Sequence, residues 1–245
     1  MALAAVVGIC IFIAAFNFLE KLLSNIEKLS MNFPDNNFRG VIPGPSGDLE
    51  IAVDFPRGLP DNGLIFIMCH PNPLEGGTMD NKVVTTATRA MNKLGLVSIR
   101  FNFRGVGKSA GIYGDRLGEC EDLRAVIAWV KAHRSGSIWL GGFSFGSYIA
   151  YACANEKDLG VAQLLTIAPA VNRWDYKNLP APSMPWLCIV GDQDEVVPSH
   201  EVFEFIYETP ATVNLIKFFE TGHFFHQRLV LLDQKITEYY RGCLK

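Results

Sequence analysis

The sequence predicts an α/β fold in which a mostly parallel β-sheet is covered by helices on both faces. Two observations carry this. From Leu64 onward, short apolar runs alternate with stretches whose apolar residues recur at helical spacing. The apolar runs are near-continuous, as strands buried on both faces are. No linker interrupts the rhythm, and 245 residues at 49% hydrophobic with 17 Phe supply one sizeable core.

Two strands come first, Phe38 to Ile42 and Leu49 to Phe55, joined by the turn-rich Pro43-Gly44-Pro45-Ser46-Gly47-Asp48. The rhythm then runs strand Leu64 to Cys69, helix Lys82 to Leu94 and strand Leu96 to Phe103. The helix Glu119 to Ala132 aligns Leu123, Val126, Ile127 and Val130 on one face. Strand Ile138 to Phe143, helix Phe145 to Asn155 and strand Val161 to Ile167 follow. The last elements are strand Trp186 to Val190, helix Glu201 to Glu208, strand Val213 to Phe219 and a closing helix Gln227 to Tyr240. The division expected is residues 1–33 as an apolar, amphipathic helix and residues 34–245 as one domain.

The N-terminal helix has three readings. Ala2 to Phe16 is apolar throughout, and Phe18, Leu19, Leu22, Leu23, Ile26 and Leu29 continue at helical spacing beside Glu20, Lys21, Glu27 and Lys28. The run is short of the ~20 apolar residues a spanning helix needs, and no cation precedes it as in a secretory signal. It is a membrane anchor touching lipid through residues 2–29, a helix packed on the domain or a partner, or an extension upstream of a protein starting at Met31. As an anchor, Lys21 and Lys28 keep the domain on the cytoplasmic side.

Composition excludes several classes. The 22 basic and 25 acidic residues give a net charge of −3, with no basic stripe for nucleic acid. Five His and six Cys show neither C-x-x-C nor H-E-x-x-H, so no metal or other cofactor is expected. Cys69 and Cys188 in strands, with Cys120 and Cys153 in helices, read as buried reduced thiols of a cytoplasmic protein. The stretch FRGVGKSAG, Phe103 to Gly111, ends its turn like a phosphate-binding loop. The first glycine such a loop requires is Asn102 here, and Gly105 is too close to serve.

Chemistry in such a sheet gathers at the carboxyl ends of the strands. There, Gly142-Phe143-Ser144-Phe145-Gly146 forms G-x-S-x-G between a strand and a helix, a turn sharp enough to thrust a serine Oγ above the sheet edge. A serine hydroxyl is a weak nucleophile and needs a base with a group to orient it. Later strands end in Gly191-Asp192-Gln193-Asp194-Glu195-Val196-Val197-Pro198 and in Glu220-Thr221-Gly222-His223, so the order is Ser, Asp, His.

On these segments, with Arg104-Gly105-Val106-Gly107-Lys108-Ser109-Ala110-Gly111 as R-G-x-G-x-S-x-G, the chain resembles the α/β-hydrolase superfamily across nearly all of residues 31–245. It is most similar to small capless hydrolases with H-P-x-P-x-x-G-G-x-M-D-N-K, read here from His70 to Lys82. The resemblance makes the glycine loop a structural turn with Lys108 at a variable position. It implies Ser144 as nucleophile, His223 as base and Asp194 as orienting acid, with Asp192 and His226 as rivals. One oxyanion donor is expected at the N–H of Phe145, which follows the nucleophile. The other comes from the loop after Cys69, where Pro71 and Pro73 have no N–H; Asn72 is expected, with Leu74 second.

The connection Pro169 to Pro185 leaves no room for a lid, so the site is expected to be open. Trp174, Tyr176, Phe143, Phe224 and His70 are its candidate lining residues, His70 also bracing its loop. No cation cluster marks a phosphorylated or acidic substrate. The expected activity is cofactor-free cleavage of short acyl esters or thioesters through an acyl-enzyme. A peptidase or acyltransferase using the same residues, and a membrane-tethered non-enzymatic interaction protein, remain open.

Overall fold

In the computed structural model, which describes residues 32–244, Gly44 and Gly47 pair across a two-residue turn, Gly47 at φ 111°. A left-handed φ is open to glycine at no steric cost, so the turn closes tightly. The strands either side reach further into it than the alternation predicts: β1 is Phe38–Gly44 and β2 is Gly47–Asp54. Then come β3 (Ile65–Cys69), β4 (Val97–Phe101), β5 (Ile138–Phe143), β6 (Val161–Ile167), β7 (Trp186–Gly191) and β8 (Val213–Phe218). The helices are α1 (Lys82–Asn92), α2 (Leu117–His133), α3 (Phe145–Ala154), α4 (Ser199–Glu208) and α5 (Leu229–Cys243). Every predicted element within this span is present, with ends moved by a few residues. β4 stops short of Phe103 because the Phe103 N–H leaves the ladder for His70 Nε2, 3.0 Å away.

The strands form one sheet in the order β1-β2-β4-β3-β5-β6-β7-β8. β1–β2 and β2–β4 are antiparallel; all other pairs are parallel. All five residues of β3 are buried, as a strand covered on both faces requires. Phe66 and Met68 join Val83, Ala87 and Met91 of α1 and Leu232, Ile236 and Tyr240 of α5 in one apolar cluster. Ile65 and Ile67 point the other way, and α3 packs on β3, β5 and β6 with α2 against it. Cys69, Cys120, Cys153 and Cys188 are buried free thiols.

The chain leaves β3 for β4 on one side and returns to β5 on the other. The loop after Cys69 and the turn at Ser144 therefore diverge from adjacent strand ends, which opens a crevice there. No helix or strand interrupts residues 168–185, between β6 and β7, so no lid of regular secondary structure is inserted there. The N-terminal run from Ala2 to Leu29 lies outside the described residues, and the choice among its three readings lies there too. Among the described residues no helix is long and apolar enough to cross a membrane.

Candidate active site

β5 ends at Phe143 and α3 begins at Phe145, so Ser144 alone makes the turn. Its φ of 53° and ψ of −116° are a strained conformation for a residue with a side chain. Surrounding bonds hold it there. The Ser144 N–H donates to Ile167 O on β6 at 2.9 Å, and its C=O accepts from the Ser147 N–H at 3.0 Å. The Ser147 hydroxyl in turn donates to Gly142 O at 2.7 Å. The flanking glycines are steric necessities. A Cβ at Gly142 would lie 2.1 Å from Gly146 O, and one at Gly146 would lie 2.3 Å from Cys69 O.

Two loops bring their polar groups to this turn. His223 Nε2 lies 3.0 Å from Ser144 Oγ, and His223 Nδ1 lies 2.8 Å from Asp194 Oδ2. The second carboxylate oxygen, Asp194 Oδ1, accepts the N–H groups of Val196 at 2.9 Å and Val197 at 2.7 Å, so the acid cannot swing away. All three side chains are buried. With Asp194 accepting at Nδ1, the imidazole carries its proton there and leaves Nε2 as acceptor toward the serine hydroxyl. The two rivals are elsewhere. Asp192 Oδ2 faces Lys217 Nζ at 3.8 Å, and His226 is exposed with its ring beside Phe224.

Sequence reasoning missed Glu195. Its Oε2 accepts the backbone N–H of His223 at 3.1 Å and pins the histidine loop. A Cβ at Gly222 would fall 2.6 Å from that oxygen, so a side chain there would push the Glu195 carboxylate off this bond. The only signal was adjacency to Asp194, which does not separate a tether from a solvated carboxylate.

In the loop after β3, Asn72 is buried and its Oδ1 accepts from the Leu74 N–H at 3.1 Å, opening a short 3-10 turn, Pro73–Glu75. That bond spends the Leu74 donor and removes Leu74 as an oxyanion candidate. Among the described residues, the N–H groups of Asn72 and Phe145 have no protein partner. A pocket of about 190 Å³ lies here, lined by Pro71, Asn72, Ser144, His223, Val196, Phe224 and neighbours.

Four expected lining residues are placed differently. His70 is wholly buried: its Nε2 accepts from the Phe103 N–H, so Nδ1 donates to Pro71 O at 2.6 Å. Burial pushes its pKa down to about 4, against the opposing pull of the Pro71 carbonyl, so it braces the loop as a neutral ring. Phe143 is buried against the His223 ring, centroids 5.1 Å apart. Tyr176 is buried among Tyr148, Tyr151 and Phe205 because its loop folds back onto the helices. Trp174 packs on Phe145 and lines a separate hollow with Asp175, Glu201 and Phe205. Phe224 does line the pocket, edge-on to His223.

The loop after β4 holds no place for a phosphate. Its Lys108 N–H donates to Glu50 Oε2 at 3.0 Å, and Asn102 Nδ2 donates to the same oxygen at 2.8 Å. Burial pushes the Glu50 carboxyl up, but these bonds and Arg39 outweigh it and hold the group below its usual value. An anion entering the loop would meet this carboxylate.

The family model described as X-Pro dipeptidyl-peptidase (S15 family) matches residues 62–195, more than half the chain, including Ser144 and Asp194. XC6422 from Xanthomonas campestris, described as an α/β serine hydrolase without lid, is 40% identical over 86% of this chain and 96% of its own, with a TM-score of 0.82. The chain is an α/β-hydrolase of the S15 family. A second serine α/β-hydrolase homologue, from Coxiella burnetii, is 44% identical over 85% of this chain and 99% of its own, with a TM-score of 0.80. A Rickettsia prowazekii protein, RP471, is 29% identical over 80% of this chain and 85% of its own. The absence of an inserted lid in this α/β-hydrolase matches the description of the Xanthomonas protein, and the chain is a serine hydrolase.

Proposed function

We infer that this serine hydrolase cleaves carboxylic esters of short acids through an acyl-enzyme. The observation that carries the reading is the continuous relay from Asp194 through His223 to Ser144 Oγ, beside two uncommitted N–H groups, Asn72 and Phe145. Ser144 attacks the ester carbonyl while His223 takes its proton at Nε2. Asp194 keeps the imidazole in the tautomer that can accept, and stabilises the cation that forms. The carbonyl oxygen becomes an oxyanion, and donors fixed in advance stabilise it without reorganising. His223 then gives its proton to the departing alcohol, and water repeats the sequence on the acyl-enzyme. A pocket near 190 Å³ favours small acyl groups; an apolar cavity of about 150 Å³ already takes benzene.

A fluorophosphonate probe tests the nucleophile: labelling should be strong in the full chain and absent in Ser144→Ala. Hydrolysis of p-nitrophenyl acetate and butyrate, falling away at octanoate, tests the acyl preference. The S15 match favours a second reading, cleavage of an amide after proline. Ala-Pro-p-nitroanilide turned over faster than any of these esters would replace the first reading with the second.

A further inference from the structure

The pocket at Ser144 has a cation that the sequence does not reveal. Arg173, on the connection between β6 and β7, lines it together with Glu75, Asn81 and the residues named above. Arg173 bonds Glu75 Oε1 through one nitrogen at 2.5 Å, which links the connection to the loop carrying Asn72. Both partners are partly exposed, and such pairs hold together weakly. One of five guanidinium N–H donors is engaged; among the described residues the rest have no protein partner.

The two amide side chains lining the pocket have their oxygens occupied. Asn72 Oδ1 is spent on the Leu74 N–H, and Asn81 Oδ1 on the Val83 N–H at 2.8 Å. Those backbone donors fix which end of each amide is oxygen, so both NH₂ groups are the free ends. Glu75 is the only carboxylate among the lining residues, and it occupies Arg173. Free donors around one replaceable carboxylate are complementary to a second carboxylate.

We propose that Arg173 reads a carboxylate on the acyl group, making the substrate a half-ester of a short dicarboxylic acid. This rests on the ester-hydrolase reading above and names its substrate class. A planar carboxylate accepts two parallel bonds from guanidinium, and a monoanion replaces Glu75 charge for charge. A phosphate dianion in the same place would bring two negative charges to the guanidinium where the displaced carboxylate brought one. The volume admits about six to eight heavy atoms, by comparison with benzene in 150 Å³; a four-carbon diacid half fits this. In the reaction, water adds to the acyl carbon, the alcohol leaves with one proton, and the acid formed releases the other to give the free dicarboxylate.

The test measures kcat/KM for monoethyl succinate and for its neutral counterpart ethyl pentanoate, with acid release followed by pH-stat titration. In the wild type the ratio should favour the succinate. Arg173→Gln should lower that ratio on the order of 10- to 100-fold, the usual range for losing a charge-assisted hydrogen bond. Glu75→Gln frees Arg173 and should raise it several-fold. Opposite signs are the signature, because a simple brace would be broken equally by both variants. Ratios moving together, or an unmoved ratio in Arg173→Gln, overturn the proposal. A wild type that cleaves neither ester overturns the ester reading instead. The carboxylate site is then judged by succinate slowing fluorophosphonate capture of Ser144. Slowing in wild type that is lost in Arg173→Gln supports it, and equal labelling rates overturn it.

Discussion

Asp194 and His223 sit on different loops, 29 residues apart in sequence, and share a 2.8 Å hydrogen bond from Nδ1 to Oδ2, while backbone N–H groups of Val196 and Val197 hold the acid's other oxygen. The acid is thus fixed by its own loop before it fixes the imidazole. Asp194→Asn should offer its NH₂ or a weaker acceptor to Nδ1 and lose control of the tautomer. The expected fall in kcat is on the order of 10⁴-fold. Asp192→Asn, altering a group that faces Lys217, should leave kcat within a few-fold. Steady-state kinetics on p-nitrophenyl butyrate decide between them, and a crippled Asp192→Asn would refute the assignment.

Gly146→Ala tests the close approach of α3 to β3. Its methyl group would sit 2.3 Å from the Cys69 carbonyl oxygen, a backbone atom that cannot rotate aside. Overpacking of this kind costs roughly 1–3 kcal/mol or more, because backbone must shift. A lowered thermal midpoint is expected, together with lost activity as the oxyanion loop is pushed outward. Wild-type stability and rate in this variant would show that the elbow tolerates a side chain.

The glycine loop after β4 should prove structural. Lys108 is exposed, and its side chain has no part in the bonds that fix the loop, whereas Glu50 accepts from both Lys108 N–H and Asn102. Lys108→Ala should leave activity and stability near wild type. Glu50→Ala should destabilise by about 1–3 kcal/mol, through donors left buried without a partner. Calorimetry with ATP should register no binding; heat that Lys108→Ala abolishes would contradict the geometry.

His70 supplies a pH dependence. Its pKa is pushed down to about 4 from 6.5 by burial, so between these values the unfolded chain binds a proton that the folded chain refuses. Stability from this group is therefore complete above about pH 6.5 and is lost as pH falls toward 4. At pH 4.5 the loss should be roughly 2–3 kcal/mol relative to pH 7. Urea titrations at both pH values, on wild type and His70→Gln, measure it. The variant should be less stable at pH 7 and show a shallower decline; an equal decline in both would remove His70 as the cause.

The sheet was legible because each strand and helix declares itself locally, through a continuous apolar run or a 3.6-residue period. Ser144 was legible because its turn needs glycines at fixed offsets, and His223 and Asp194 because chain order ties them to strand ends. The lining was not. Phe143, Tyr176 and Trp174 are aromatic and close in sequence to the right strand ends, but whether such a ring faces a pocket or the core depends on how its loop folds back. Arg173 escaped notice for the complementary reason. One cation in an irregular connection carries no pattern, and its meeting with Glu75, 98 residues earlier, exists only in three dimensions.

Ser144 is anchored by its own amide to β6, with β3 in contact just behind it, so its position is set at the middle of the sheet. Backbone bonds in such a place are released only when the whole unit opens, while loops at the rim open at little cost. Evolution therefore meets two very different materials in one crevice. Mutations near the nucleophile are tested first for whether the protein folds at all, and few pass. Mutations in the loops that carry Glu75 and Arg173 are tested mainly for what they let in. A lineage of such proteins can change its diet repeatedly while inheriting the same elbow intact.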